Sequence, residues 1–201
     1  MIDTIVFDLG GVLVDWNPRY VYKDVFVSED TMEYFLSNIC TNHWNEQQDA
    51  GRSFEEATNL LIAEYPHYET EIKMYYGCWG TMLKGSIEET VELLRQLKSS
   101  EKFRLLALTN WAAESFPVAL DRFEFLHWFE GILVSGEEKL KKPDPAIFKL
   151  MISRYDLDVN KTLFIDDNAA NIQAAEKLGF NVIHFVNIQM SIEEIYKIIG
   201  V

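Results

Sequence analysis

Thr4-Ile5-Val6-Phe7-Asp8-Leu9-Gly10-Gly11-Val12-Leu13-Val14-Asp15 is the stretch on which the reading of this chain turns. Its apolar, β-branched start has the length of a buried strand, and it stops at a carboxylate followed by two glycines. In an open α/β sheet the C-terminal ends of the strands face the ligand crevice. Glycine at such an end lets the backbone come close to a bound ion or substrate. Asp8 is therefore either an ordinary strand-end carboxylate or the first group of a site, and the later segments decide between the two.

Outward from that stretch the pattern changes twice. From Trp16 to Leu83 it predicts helices and no strand. Ser28-Glu29-Asp30 opens one running to about Cys40, Ser53 with Glu56 at capping-box spacing opens a second, and Tyr68 to Leu83 forms a third. After Gly85 strands and helices alternate. Ser86 with Glu89 opens a helix to about Ser99, and the strand Phe103 to Leu108 ends in Thr109-Asn110. A short strand Ile132-Leu133-Val134 and a helix from Pro143 to about Tyr155 follow. The strand Thr162 to Ile165 ends in Asp166-Asp167 and leads to a helix from Ala169 to Leu178. Strand Val182 to Phe185 and a helix opened by Ser191 and Glu194 complete the chain. The predicted fold is α/β: a Rossmann-like parallel sheet core, residues 1–15 and 84–201, with helices on both faces and an inserted small all-helical cap, residues 16–83.

The 201 residues suffice for one substantial core. With 32 acidic against 18 basic residues the formal charge is −14, which disfavours nucleic acid and anionic membranes as partners. A phosphate site in such a field must rely on local cations. Met1 leads directly into a strand and no apolar run is long enough to span a bilayer. Cys40 and Cys78 form no close pair and read as apolar filler. A cytoplasmic location is expected on these grounds.

If the strands are parallel, their polar ends converge on one sheet edge: Asp8, Thr109-Asn110, Asp166-Asp167, and Lys142 just before the Pro143 helix. A carboxylate is a poor nucleophile toward a phosphate dianion because like charges repel. Magnesium on hard oxygen ligands, together with a lysine, neutralises that repulsion, so this set suits phosphoryl chemistry.

Asp8-Leu9-Gly10-Gly11-Val12, Leu108-Thr109-Asn110, Lys142-Pro143-Asp144-Pro145-Ala146-Ile147-Phe148 and Phe164-Ile165-Asp166-Asp167-Asn168 resemble, in order, the four motifs of the haloacid dehalogenase-like (HAD) hydrolase superfamily. The likeness covers nearly the whole chain, and the stretch 16–83 lies where members with a helical cap carry it. The resemblance implies a magnesium-dependent phosphohydrolase acting on a small phosphorylated metabolite. In it Asp8 is the nucleophile, Thr109 and the Asn110 backbone bind the transferring group, and Lys142 pairs with Asp8 and substrate oxygens. Asp8, Asp166, Asp167 and the carbonyl of Gly10 would hold Mg²⁺, with Gly11 beside the substrate.

One position departs from the phosphatase pattern, which usually has a second aspartate where Gly10 stands, protonating the leaving oxygen and activating water. Asp15 is the first candidate substitute, with Asp49 and His43 behind it. Two other readings stay open: a 2-haloacid dehalogenase using the same aspartate, although that branch carries tyrosine at the place of Gly10, and a non-catalytic binding module. The cap segment has 4 basic against 11 acidic residues and many aromatics, so a sugar or polyol phosphate suits it better than a polyanion. His43, Trp44 and Asp49 are the expected lid contacts with substrate, and Trp111 is expected either to shape the pocket or to cover the sheet edge, the second being favoured.

Overall fold

The chain rises in Thr4–Phe7 (β1) and continues through Val14–Trp16 (β2) into a run of helices. These are Arg19–Tyr22 (α1), Glu29–Asn38 (α2), Asn42–Asp49 (α3), Phe54–Glu64 (α4), Glu69–Gly77 (α5) and Trp79–Met82 (α6). Leu83–Ser86 (β3) returns the chain to Glu88–Ser100 (α7), Arg104–Thr109 (β4), Phe116–Arg122 (α8), Gly131–Val134 (β5) and Ser135–Glu138 (α9). Pro145–Tyr155 (α10), Thr162–Asp166 (β6), Ala169–Lys177 (α11), Asn181–His184 (β7) and Ile188–Ile199 (α12) complete it. This computed structural model describes residues 1–200; Val201, the last residue of the expected core span, lies outside the described residues.

Five strands form a parallel sheet in the order β5-β4-β1-β6-β7. Successive strands build outward from β1 to β4 and β5, then cross to β6 and β7 on the other side. The reversal beside β1 is the topological switch point, where α/β sheets open a crevice at their C-terminal ends. Strand burial explains why these segments are apolar without alternation. Ile5 and Phe7 face one apolar cluster, with Leu93 and Leu97 of α7 and Ile195 of α12, whereas Val6 faces another with Ile147, Phe148 and Met151 of α10. Each fully buried side chain of this size contributes roughly 1.5–3 kcal/mol.

The expected Rossmann-like core with helices on both faces is thus the observed one, but the insertion differs in detail. Its two ends meet in an antiparallel ladder, Val14 opposite Ser86 and Asp15 opposite Gly85, running across both of the boundaries drawn from sequence. Neither strand was legible, since each is short and lacks a clear alternation. The expected third helix breaks at Cys78 into α5 and α6, and the stretch before Gly51 holds an additional helix, α3, capped by Thr41. Ser53 does accept a bond from the Glu56 amide, 3.1 Å. Ser86 does not cap α7, which starts after Ile87, and α12 starts at Ile188, capped by Asn187 rather than by Ser191. The insertion has an aromatic interior: Tyr22, Phe35, Tyr75 and Trp79 join the same cluster as Ile5 and Phe7, so the two parts share one core. Cys40 is buried and Cys78 half-buried, both as free thiols. Among the described residues no helix is long and apolar enough to cross a membrane.

Candidate active site

Asp8 follows β1 directly, and its amide continues the ladder by donating to the Ile165 carbonyl at 2.8 Å. The chain then curls tightly, with the Leu13 and Val14 amides both donating to the Leu9 carbonyl at 2.8 Å. That turn requires Gly11 at φ 74°, and a Cβ there would collide with the Asp167 carboxylate. Glycine at 11 therefore serves both backbone conformation and close approach to the acidic pair.

Lys142 is the hub. It is fully buried, and its Nζ reaches Asp8 Oδ1 at 2.9 Å, Asp166 Oδ2 at 2.7 Å and the Leu108 carbonyl at 2.8 Å. Three protons meet three acceptors, which is what makes a buried ammonium tolerable. Burial by itself would depress its pKa, but the charges of Asp8 and Asp166 outweigh that and raise it. Asn110 places it. The Asn110 amide donates to the Lys142 carbonyl at 2.9 Å and accepts from the Lys142 amide at 2.8 Å, tying the end of β4 to the loop before α10. Thr109, the last residue of β4, is buried beside it in sequence.

Asp166 is fully buried at the end of β6 and is held by the Asn168 amide at 2.8 Å and by Asn171 Nδ2 at 3.0 and 3.1 Å. Asp167 stands next to it, open to solvent on one side and covered on the side that faces Asp166 and Gly11. Asp8, Asp166 and Asp167 each offer a carboxylate oxygen, all within 4.8 Å of one another. One lysine neutralises only one of three charges, so the cluster is electrostatically incomplete. Burial pushes Asp8 above the usual carboxylate range, against the pull of Lys142, and Asp167 is raised by burial and by Asp166. A hard divalent cation on these oxygens supplies the missing charge, and the donor set fits magnesium.

A cavity of about 100 Å³ opens between this edge and the insertion. Its walls are Gly10, Asn110 and Trp111 on the sheet side, and Trp16, Asn45, Asp49 and Trp79 on the other. The indole N–H groups of Trp16 and Trp79 are buried without a hydrogen-bond partner, their rings 5.4 Å apart. The insertion is fastened here by Lys141 to Glu46 at 2.6 Å and by the Phe54 amide to Glu114 at 2.7 Å.

Of the lid contacts expected from sequence, Asp49 alone lines this cavity. Trp44 faces the other way: it is buried against Tyr75 and Tyr76, ring centroids 5.1 and 5.3 Å away, and donates to the Ala57 carbonyl. It is packing, because an indole of that area is better buried among aromatics than left at a cavity rim. His43 is exposed and borders outer grooves with Arg52 and Arg19. Asp15 accepts from the Tyr20 hydroxyl at 3.0 and 2.9 Å and does not line the cavity. Trp111 is buried and lines the cavity, which is the pocket-shaping role. Asn171, the Asn110 side-chain clamp and the Trp16–Trp79 pair were missed by sequence reasoning. Only Asn171 left a signal, at a fixed spacing after the acidic pair on the first turn of α11.

Fold and site together define an α/β protein with an acidic, lysine-bridged centre at the sheet switch point, and the chain belongs to the haloacid dehalogenase-like hydrolases, whose family model matches residues 2–179. It is 26% identical to the sesquiterpene phosphatase astK of Aspergillus oryzae over 97% of this chain and 95% of that protein. It is 20% identical to a phosphorylated carbohydrates phosphatase of Thermotoga maritima over 92% and 88% of the two chains. A HAD family enzyme of Bacteroides thetaiotaomicron, crystallised with magnesium and inorganic phosphate, shares the fold at TM-score 0.69 and 24% identity, covering 91% of this chain and 93% of the other.

Proposed function

We propose that this hydrolase is a magnesium-dependent phosphomonoesterase that acts on a small, uncharged, hydroxylated alcohol phosphate, with a sugar or polyol phosphate favoured, through an aspartyl-phosphate on Asp8. The observation that carries the reading is Lys142 seated between Asp8 and Asp166 with Asp167 alongside. Two relatives whose names describe phosphatases support it.

An Asp8 oxygen forms a bond to phosphorus while the bond to the ester oxygen breaks, and water later cleaves the acyl phosphate to regenerate Asp8. Lys142 stabilises the charge that gathers beside Asp8 through its fixed positive charge, its three protons being already placed on Asp8, Asp166 and the Leu108 carbonyl. Thr109 and the Asn110 backbone hold the remaining phosphoryl oxygens. Asp8, the Gly10 carbonyl, Asp166 and Asp167 would hold magnesium, which would supply the positive charge that lets an anionic nucleophile meet an anionic ester. In this reading residues 1–15 and 84–201 do the chemistry, and the insertion, residues 16–83, is the lid that selects the alcohol.

The alcohol side is read from the cavity. Its Asn45 amide suits hydroxyls, its tryptophan walls suit a small ring or chain, and among the described residues no lysine or arginine lines it for a second phosphate. A dehalogenase substrate bears its own carboxylate, which the acidic cluster disfavours.

The deciding experiment is a panel of phosphomonoesters and 2-haloacids with and without magnesium, beside Asp8→Asn. Magnesium-dependent phosphate release that the substitution abolishes supports the reading. Metal-independent halide release overturns it in favour of the dehalogenase, and inactivity on both panels favours a binding module.

A further inference from the structure

Position 10 is where a phosphatase of this architecture would carry a proton donor, and glycine cannot supply one. Resting on the phosphomonoesterase reading, we infer that Asp49 of the insertion, across the cavity from Gly10, is the group that protonates the leaving oxygen and then activates water.

Three observations carry this. A Cβ built on Gly10 meets no atom within 4 Å, so the space an acid would occupy is open. Gly10 borders the cavity, and among the described residues Asp49 is the single carboxylate that lines it. Asp49 ends α3, which is fixed to the sheet side by Lys141 to Glu46, so the carboxyl reaches the cavity from a positioned element. The rival carboxylate, Asp15, is engaged by Tyr20 and lies off the cavity.

Its surroundings suit proton transfer near neutrality. Burial raises the Asp49 carboxyl to about 7, opposed by Lys141, assisted by Glu46, and opposed again by Lys142 and by the Ala112 amide that donates to it. Tyr75 and Tyr76 also lie near enough to feel its charge, and both stay protonated. A group titrating there is populated in both forms at working pH, which acid and base steps require in turn.

The steps balance. As Asp8 bonds to phosphorus, the departing ester oxygen takes the proton from the Asp49 carboxyl and leaves as the neutral alcohol. In the second step the Asp49 carboxylate takes a proton from water, whose oxygen bonds to phosphorus while the phosphorus bond to Asp8 breaks. Inorganic phosphate leaves with Asp49 protonated again.

The test compares wild type with Asp49→Asn on an alkyl phosphate and an activated aryl phosphate, with magnesium, in rapid-mixing assays. Aspartyl-phosphate formation from the alkyl ester should fall about 100- to 10,000-fold, whereas the aryl ester, whose leaving group needs no proton, should still phosphorylate Asp8 in a burst within a few-fold of wild type. The wild-type alkyl profile should decline above about pH 7, a limb absent from the variant. Adding Gly10→Asp to Asp49→Asn should restore alkyl turnover, since the donor returns from the other wall. Equal loss on both esters, or no loss on the alkyl ester, overturns the role of Asp49 while leaving the phosphatase standing. A wild type that releases no phosphate from either ester overturns both.

Discussion

Replacing Lys142 by Met removes the centre of the buried polar network while keeping its volume and stem. Three acceptors lose their donor at once: Asp8 Oδ1, Asp166 Oδ2 and the Leu108 carbonyl. Each buried acceptor left unsatisfied costs about 1–3 kcal/mol. Protonation of one carboxyl returns a donor, which keeps the total near the about 3–5 kcal/mol typical of breaking a buried ion pair on one side. For a chain of this size that is a fall in Tm of roughly 6–20 °C. Calorimetry in chelator at pH 7.5 measures it, and adding magnesium should narrow the gap because the cation takes over part of the charge compensation. Combining Asp8→Asn with Lys142→Met should cost less than the sum of the two singles, as one charge needing compensation is gone. A Tm within 2 °C of wild type, or strictly additive singles, would refute the view that this lysine holds the edge together.

Three further outcomes are expected. Gly11→Ala places a Cβ at φ 74° against the Asp167 carboxylate, so it should cost about 1–3 kcal/mol and weaken magnesium binding, read by urea unfolding and calorimetric titration. Trp44→Ala should destabilise by about 3–5 kcal/mol because it empties the insertion core, whereas His43→Ala should leave kcat/KM within a factor of two, a pairing that fails if His43 proves the more sensitive. Asp49→Asn should change stability with pH. The carboxyl titrates at about 7 when folded against 3.8 in its ordinary state, so the folded form binds the extra proton between those values. The Asp49 contribution to wild-type stability therefore falls as pH rises from about 4 through 7, by up to about 4 kcal/mol, and the variant gains on wild type over that window. Urea midpoints for the pair that stay parallel across it would show that Asp49 is solvated.

The order of elements and the centre were legible because they depend on local pattern. Strand apolarity, the strand-end carboxylates and the Pro-opened α10 need only neighbouring residues to be read. Three of the four motifs fall at strand ends and the fourth lies in the loop before α10, and parallel strands have no choice about where those ends meet. The alcohol side was not legible. Trp44 and Trp79 carry the same chemistry and both lie on helices of the insertion, yet one packs among the insertion aromatics and the other walls the cavity. The two short strands β2 and β3 pair across nearly seventy residues, and nothing local announces it.

By itself the sequence determined a parallel sheet whose strand ends gather carboxylates on one edge, a lysine ahead of the α10 helix that could join them, and a glycine at position 10. Tertiary structure decided how Lys142 divides its protons among three acceptors and which insertion residues face the centre. It also placed Asp49, rather than the nearer Asp15, on the cavity wall across from Gly10. The physical reason is that strand ends are fixed by backbone hydrogen bonding, whereas the facing of an inserted helix is fixed by packing against partners distant in the chain.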